Sequence, residues 1–294
     1  MKQLFVVCCL VSRAVFAQDA GVAAPAVTFS EGLATPESVL YDPQSDTYLV
    51  SNINGAPLDR DNNGYLTELS PDGTVLKAKF IEGGRSKVKL NAPKGSALLD
   101  GVLYVADIDT LRAFDRKTGA PKGEVRIAGA TFLNDVAAGP DGKLYVSDSA
   151  LNAKFEPTGT DAVWVVTPGK KLTAKALVKS KDLHGPNGLL VTADAVYFVT
   201  FGANELHRYD LSGAKVGEVT QLPNGGLDGL VAVGDELLIS SWGEKALFRG
   251  KPGGPFKKVQ GELEAPADVG FDSKRRRVLV PRFMAHTVEV WDLP

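Results

Sequence analysis

The chain has 294 residues, of which 44% are hydrophobic and 23% are charged, and its formal net charge is −2 at pH 7. This composition is typical of a globular protein and offers no basic stripe that would favour a nucleic-acid partner. The longest basic run, K-R-R-R at residues 274–277, falls between two predicted strands and is interpreted as a solvated turn. The alternative, a phosphate-binding site, has only this run to support it.

The first 17 residues have the pattern of a secretory signal peptide. Lys2 supplies the positive charge, residues 4–11 form an apolar run, and V-F-A at residues 15–17 forms a small-x-small cleavage site. The apolar run is too short to span a membrane. Both cysteines, Cys8 and Cys9, lie inside this segment, so we expect no disulfide and no thiol in the mature chain. We therefore expect a periplasmic or secreted protein.

A repeated pattern organises the remainder of the chain. Residues 18–26 are rich in Ala and Gly and are predicted to form a flexible tether, and residues 27–294 are predicted to form one domain. Six copies of a strand, a turn and a second strand rich in β-branched and aromatic residues follow. The clearest copy is L-N-D-V-A-A-G-P-D-G-K-L-Y-V-S-D at residues 133–148. Near the start of the first strand of each copy stands a polar or charged residue, here called an anchor: Glu37, Lys94, Asn134, Asn187, Asp228 and Asp268.

The spacing of the anchors predicts the fold. Consecutive anchors are 40 to 57 residues apart, the spacing of four-stranded propeller blades, and no segment has a sustained helical period. We therefore predict an all-β protein, a six-bladed β-propeller. The last copy offers only three strands, and Val27–Phe29 is predicted to complete its sheet. The two ends of the chain would then close the ring and leave no bare edge.

Four anchors have side chains suited to binding a hard cation. In a propeller the first strand of each blade lines the central channel, so the anchors of different blades converge. Glu37, Asn134, Asn187 and Asp228 would bring two carboxylates and two amide oxygens to one axis, which suits Ca²⁺, Mg²⁺ or Mn²⁺. A single Asn or Asp at a strand start is more simply interpreted as a turn cap. Four in the same register of different copies favour a shared metal site.

The motifs around these anchors carry a resemblance to a known family. P-E-S-V at residues 36–39, L-N-D-V at 133–136, P-N-G-L at 186–189 and L-D-G-L at 227–230 resemble the SMP-30/gluconolactonase/luciferin-regenerating-enzyme family. Beyond it, the chain is similar to the diisopropyl-fluorophosphatase and paraoxonase propellers. The resemblance covers the mature chain at the level of its repeats. It implies that Glu37, Asn134, Asn187 and Asp228 hold a divalent metal, most simply Ca²⁺, with Mg²⁺, Mn²⁺ or Zn²⁺ as alternatives.

Two features depart from that family pattern. Residues 202–213, G-A-N-E-L-H-R-Y-D-L-S-G, resemble NHL-type repeats, which are mostly non-enzymatic. Lys94 places a cation among the anchors, where it would oppose a metal unless Asp268 pairs with it. These features favour the alternative function, a non-catalytic propeller that binds a ligand or a protein.

The leading hypothesis is a metal-dependent hydrolase of the SMP-30/gluconolactonase type that acts on a small lactone or related ester. A bound cation polarises a carbonyl oxygen, and Asp228 is the first candidate for base or nucleophile, with Glu37 second. His184, three residues before Asn187, is a candidate proton relay, although it is also interpretable as an exposed loop histidine. We expect a monomer with a small-molecule substrate and no membrane span.

A second motif, D-R-D-N-N-G at residues 59–64, matches the first half of a calcium-binding loop. Its twelfth position is Ser70, where such a loop needs a bidentate Glu, and no helix is predicted beside it. We therefore interpret this stretch as a polar hairpin loop at the rim of the channel.

Overall fold

The computed structural model describes residues 24–293, which form a ring of six four-stranded antiparallel sheets. This arrangement confirms the predicted six-bladed β-propeller. The predicted signal peptide, residues 1–17, lies outside the described residues, as does most of the predicted tether. None of the described residues belongs to a helix long and apolar enough to cross a membrane.

The strands follow one another blade by blade after a first short strand, β1 (Val27–Phe29). Blade 1 contains β2 to β5, which are Pro36–Asp42, Thr47–Asn52, Tyr65–Leu69 and Val75–Glu82. Blade 2 contains β6 to β9, which are Pro93–Leu99, Val102–Asp107, Thr110–Asp115 and Pro121–Arg126. Blade 3 contains β10 to β13, which are Leu133–Ala138, Leu144–Asp148, Ala162–Thr167 and Thr173–Lys179.

The second half of the chain repeats this plan after a single 3-10 turn, Lys181–Leu183. Blade 4 contains β14 to β17, which are Pro186–Val191, Val196–Thr200, Glu205–Tyr209 and Thr220–Gln221. Blade 5 contains β18 to β21, which are Leu227–Val233, Glu236–Ser241, Ala246–Gly250 and Lys257–Gln260. Blade 6 contains β22 to β24, which are Gly270–Asp272, Arg277–Arg282 and Thr287–Asp292.

The two ends of the described chain close the ring in blade 6. There β1 pairs with β24 in antiparallel register, with Val27 opposite Val290 and Phe29 opposite Val288. The pairing extends one residue further, since the backbone N–H of Ala26 donates a hydrogen bond of 2.7 Å to the carbonyl of Val290. The predicted closure by an N-terminal strand is therefore confirmed, and the last sheet has its fourth strand.

The hydrophobic core lies between neighbouring blades. Phe29 of β1 packs with Val288 and Leu279 of blade 6 and with Tyr48 and Val50 of blade 1. Similar clusters join the other blades, and each fully buried large apolar side chain contributes about 1.5–3 kcal/mol relative to an exposed one. The predicted solvated turn also forms: residues 273–276 connect β22 to β23 as a turn.

A β-bulge recurs at the start of the innermost hairpin in blades 1 to 5. The register of the first two strands shifts between residues 36 and 38, 93 and 96, 133 and 136, 186 and 189, and 227 and 230. Five anchors lie inside these shifts: Glu37, Lys94, Asn134, Asn187 and Asp228. A bulge changes the direction of the side chain at that point and is often found next to a functional site. The repeat therefore presents one polar side chain from each of five blades in the same way.

In blades 4 and 5 the residue after the anchor is a glycine, and the innermost segment of the next blade lies very close to it. A Cβ built on Gly188 would lie 2.3 Å from the carbonyl oxygen of Asp228, and one on Gly229 would lie 2.2 Å from the amide nitrogen of Val269. No side chain fits in that space, so glycine follows the anchor in P-N-G-L and L-D-G-L. This close approach brings the anchors of neighbouring blades together around the axis.

Candidate metal and active site

Five of the six anchors meet at one end of the central channel. They line a single cavity of about 300 Å³. All five are buried: Glu37, Lys94, Asn134, Asn187 and Asp228. The structure thus brings together the four predicted metal-binding residues, although they are spread over 192 positions of the chain.

The sixth anchor, Asp268, does not line this cavity. It lies beside Ser38 and Asp135 in a separate depression of the channel, and its carboxylate accepts a hydrogen bond of 2.6 Å from the Ser38 hydroxyl. Burial raises the pKa of Asp268 to about 7, and the Ser38 hydrogen bond opposes that shift. The pairing of Asp268 with Lys94 that the sequence suggested is absent from the hydrogen bonds and ion pairs of the described residues.

Three oxygens of the cavity are buried without a hydrogen-bond partner among the described residues. They are Oε2 of Glu37, Oδ1 of Asn187 and Oδ1 of Asp228, and each comes from a different blade. A buried polar atom without a partner costs about 1–3 kcal/mol, so such atoms are rare in a folded protein. Three in one cavity indicate that a cation or other ligand satisfies them.

Hydrogen bonds fix the orientation of two of the four side chains. The Asn134 amide donates a hydrogen bond of 3.0 Å from Nδ2 to the Ser149 hydroxyl, which leaves its Oδ1 as the acceptor. The Ser149 hydroxyl in turn donates to the carbonyl of Pro186, at 2.7 Å. Nε1 of Trp242 donates a hydrogen bond of 2.8 Å to Oδ2 of Asp228. These contacts hold an amide and a carboxylate in place before any ligand binds.

The electrostatics of the cavity disfavour two bare carboxylates. Burial raises the pKa of Glu37 well above its usual range, and the nearby Asp228 and Asp268 raise it further. Burial and Asp268 likewise raise the pKa of Asp228, while the hydrogen bond from Trp242 opposes this shift. A divalent cation would remove this repulsion, because it compensates both negative charges at once.

Lys94 is held mainly by backbone carbonyls. Its Nζ donates hydrogen bonds to the carbonyl of Pro57 at 2.9 Å and to that of Ala92 at 3.2 Å. The ammonium also lies 4.5 Å from the centre of the Phe132 ring. Burial lowers the pKa of Lys94 to about 8, and the negative charge of Glu37 opposes this shift. These contacts thus hold the Lys94 side chain among the polar residues of the cavity.

The structure places His184 outside the cavity of the carboxylates. It lines a neighbouring depression with Asp161 and Lys181. Its side chain is 48% exposed, and Nδ1 lies 2.9 Å from Oε2 of Glu205. Oε2 of Glu205 also lies 3.0 Å from Nε2 of His207. His184 is therefore paired with an acid of the third strand of blade 4 and does not line the cavity that contains Asp228.

The residues of the D-R-D-N-N-G stretch contact one another at the rim. Oδ2 of Asp61 accepts a hydrogen bond of 2.6 Å from the Asn63 amide, and Oδ2 of Asp59 accepts one of 3.2 Å from the backbone of Ala56. Arg60 forms an ion pair of 2.9 Å with Asp109. These contacts are those of a polar connecting loop, which is how the sequence was interpreted.

Sequence reasoning missed the apolar wall of the cavity. Phe201, Trp242 and Phe283 each directly follow the second strand of blades 4, 5 and 6, and all three line the cavity. Ile53 occupies the same position after β3 in blade 1. Their shared position in the repeat was the available signal.

The four predicted ligands fit a divalent cation by their donor chemistry. Within residues 24–293 no group of three or more His, Cys, Asp or Glu side chains could hold a metal, so an ion here depends on the amide oxygens of Asn134 and Asn187. Two carboxylates match a charge of +2, and amide oxygens complete a hard oxygen set. The buried, unpartnered oxygens described above are in keeping with this donor set.

Comparisons with known proteins support the fold. No family profile and no curated protein sequence matches the chain. Among solved structures, the chain is similar to a putative gluconolactonase with a TM-score of 0.63 and 20% identity over 90% of this chain and 91% of that one. It is also similar to the calcium-binding protein regucalcin from Agrobacterium tumefaciens, with a TM-score of 0.58 and 22% identity over 92% of this chain and 98% of regucalcin. A streptogramin B lyase is similar with a TM-score of 0.60 and 14% identity over 89% of this chain and 94% of the lyase.

The chain shares its fold with these proteins. The resemblance to SMP-30/gluconolactonase-like proteins is thereby confirmed at the level of the six-bladed propeller. At identities of 22% or less the likeness shows architecture and leaves metal, substrate and reaction to be argued from this chain's own residues.

Proposed function

We propose that the protein is a metal-dependent hydrolase of a small lactone or related ester, with a Ca²⁺-like ion held by Glu37, Asn134, Asn187 and Asp228. The observation that carries the proposal is the set of three buried oxygens without partners on three blades. Two structural neighbours, a calcium-binding protein and a putative gluconolactonase, are in keeping with it.

The proposed reaction is the addition of water across an acyl C–O bond. The water oxygen bonds to the carbonyl carbon, the bond to the alcohol oxygen breaks, and that oxygen takes up a proton. A divalent cation in the cavity would supply Lewis acidity toward the carbonyl oxygen. Ionised Asp228 accepts the proton from water and returns it to the alcohol, and the hydrogen bond from Trp242 holds its carboxylate in one orientation.

The roles of the other two candidate catalytic residues follow from their positions. Glu37 lies in the same cavity as Asp228 and is the second candidate for the base. His184 is proposed only as a relay between the cavity and bulk solvent, because its own ring is bound to Glu205. His184→Gln is expected to lower turnover by less than about tenfold, well below the roughly 10²–10⁴-fold contribution of a positioned acid or base, because solvent can replace a proton relay. Asp228→Asn is expected to abolish it.

One observation favours the alternative function, a non-catalytic propeller that binds a ligand. Lys94 is buried in the cavity and adds a positive charge to the ring of proposed metal-binding residues. A lysine ammonium at this point suits a site that binds a polar or anionic group and does not catalyse a reaction.

The location of the protein is also a proposal. The sequence pattern of residues 1–17 supports export and removal of that segment, which would give a periplasmic or secreted protein that begins near Gln18. N-terminal sequencing of material recovered from the cell envelope or medium tests this directly. An intact Met1 would contradict it.

A panel of lactones and aryl esters, assayed with Ca²⁺ and after treatment with a chelator, tests the proposed reaction. We expect hydrolysis that the chelator removes and that Ca²⁺ restores. Asp235→Asn is the matched control, because it removes a carboxylate on the exposed surface, where the side chain is 76% accessible. Hydrolysis that persists unchanged in Asp228→Asn would contradict the proposal, and binding of panel members without hydrolysis would favour the ligand-binding alternative.

A further inference from the structure

The wall above the polar floor of the cavity is apolar. Five polar or charged side chains form the floor, and the remaining lining residues are nine apolar ones: Ile53, Pro57, Phe132, Leu151, Phe155, Phe201, Trp242, Phe283 and Met284. Polar groups are therefore confined to one end of a cavity of about 300 Å³. Such a division fixes which part of a ligand meets the floor and which part meets the wall.

The wall has little capacity to form hydrogen bonds with a ligand. Trp242 is the only one of the nine described wall side chains with an N–H or O–H group, and its Nε1 already donates to Asp228. The carbonyl of Pro57 accepts a hydrogen bond from Lys94. A ligand hydroxyl placed against this wall would lose its hydrogen bonds to water without gaining replacements, which lowers affinity.

Aromatic rings dominate the wall and contact one another. The ring centres of Phe201 and Trp242 are 5.7 Å apart, and their planes lie at 78° to each other. Those of Trp242 and Phe283 are 5.3 Å apart, with the planes at 55°. The ring centres of Phe132 and Phe155 are 6.4 Å apart, and their ring planes lie at 59° to each other. Tilted and edge-to-face contacts of this kind stabilise a fixed arrangement of rings. The wall is thus a preformed apolar surface.

Two of the nine apolar side chains are exposed at the mouth of the cavity. Phe155 is 55% exposed and Met284 is 65% exposed, and they are the two most exposed large hydrophobic residues in the described chain. Both line the same cavity. Exposed apolar surface around a cavity is typical of a site where a ligand covers it. Here it extends the apolar wall outward to solvent.

We propose that the substrate is a lactone or ester that carries a hydrocarbon substituent, such as a linear alkyl chain or an unsubstituted aromatic ring, and that it is not a polyhydroxylated sugar lactone. This inference rests on the proposed hydrolase function and specifies its substrate class. The acyl group contacts the polar floor formed by Glu37, Asn134, Asn187 and Asp228, and the hydrocarbon lies against the aromatic wall and Met284.

A series of γ-lactones with alkyl substituents of increasing length, compared with D-glucono-1,5-lactone, tests this proposal in the presence of Ca²⁺. We expect kcat/KM to rise about fourfold for each added methylene until the substituent reaches the mouth, the increment for burying one methylene group. We expect the sugar lactone to be the poorest substrate of the set. A sugar lactone hydrolysed faster than every alkyl lactone would overturn the substrate class and leave the hydrolase function standing.

Substitutions at the mouth locate the effect in this cavity. The double variant Phe155→Ser with Met284→Ser is expected to lower the ratio of kcat/KM for the heptyl lactone to that for the unsubstituted lactone by about tenfold. Leu76→Ser is the matched control, because Leu76 is 48% exposed and is not among the residues that line the cavity. All three positions are exposed, so the variants are expected to fold. An unchanged ratio in the double variant would contradict the proposal.

A binding measurement separates this inference from the proposed reaction. If no lactone or ester is hydrolysed, the reaction is wrong. Calorimetry with alkyl-substituted lactams, which resist hydrolysis, then still tests the apolar site. Affinity that rises with chain length and falls in the double variant supports an apolar ligand class. Affinity that does not depend on chain length would overturn it.

Discussion

The indole nitrogen of Trp242 donates a hydrogen bond of 2.8 Å to one oxygen of Asp228 and leaves the other oxygen of that carboxylate without a partner. Asp228 lies in the innermost strand of blade 5, and Trp242 directly follows the second strand of the same blade. A wall residue therefore orients a floor residue. This contact joins the apolar and polar parts of the cavity.

Trp242→Phe tests that contact. The substitution keeps an aromatic ring near Phe201 and Phe283 but removes the indole N–H and part of the ring volume, so Oδ2 of Asp228 loses its partner. We expect Ca²⁺ affinity to fall by at least about tenfold, because a hydrogen bond to a charged group contributes about 1.5–3 kcal/mol. Calorimetric titration measures this change. Trp291→Phe is the control, because the buried Trp291 indole nitrogen has no hydrogen-bond partner among the described residues.

Closure of the ring gives a second prediction. A chain that begins at Ala24 keeps β1. A chain that begins at Gly32 lacks β1 and also loses the contact between Phe29 and Tyr48, whose ring centres are 6.4 Å apart. We expect the first chain to melt like the mature protein. The second exposes the edge of β24 and is expected to lose several kcal/mol of stability or to aggregate. Equal melting temperatures for the two chains would show that β1 does not close the ring.

Lys94→Met is expected to strengthen metal binding. The substitution removes a cation close to the proposed ion and keeps a long apolar side chain beside Phe132. Two unit charges a few ångströms apart interact by about 1–4 kcal/mol in a partly hydrated site, so a gain of about tenfold in Ca²⁺ affinity is expected. Calorimetric titration of both proteins checks this. A loss of affinity would show instead that Lys94 supports the floor by holding the carbonyls of Pro57 and Ala92.

The raised pKa values of Glu37 and Asp228 predict how the effect of the metal depends on pH. Without metal, the folded state binds more protons than the unfolded chain, so stability is greatest below the unfolded pKa of about 4 and falls as pH rises through the folded pKa values. A bound cation favours the ionised form and reverses this loss. We expect the increase in melting temperature caused by Ca²⁺ to be larger at pH 8 than at pH 5.

Melting curves of metal-depleted protein, with and without added Ca²⁺, measure this difference across the pH range. The double variant Glu37→Gln with Asp228→Asn serves as the control, because it has no carboxylate at either position and is expected to show no difference. A Ca²⁺ effect of equal size at pH 5 and pH 8 would contradict the assignment of these two groups.

The sequence predicted the polar floor because the repeat preserves it. Each of these anchors is the second residue of an apolar strand, and the bulge at that register turns Glu37, Asn134, Asn187 and Asp228 toward one axis. The fold and the closing strand followed from the same periodicity. These features depend on local pattern, which a single sequence contains.

The contacts between blades could not be predicted in the same way. Asp268 bonds to Ser38 of the next blade, and Lys94 is held by the carbonyls of Pro57 and Ala92, because of how close the blades lie. The apolar wall was missed for a related reason. Phe201 and Phe283 directly follow the second strands of their blades, and the periodicity of those strands does not show that the residues after them line the cavity.

The central claim is that Glu37, Asn134, Asn187 and Asp228 bind a divalent cation, and a calorimetric Ca²⁺ titration of metal-depleted protein tests it most directly. We expect one site in the wild-type protein, weaker binding in Glu37→Gln that excess Ca²⁺ overcomes, and weaker binding in Asp228→Asn. Asn134→Ala and Asn187→Ala are expected to lose less, because an amide contributes a dipole and no full charge. The surface variant Asp235→Asn is expected to bind as the wild type does. A wild-type protein that binds no divalent cation, or four floor variants that bind it as well as the wild type, would contradict the account.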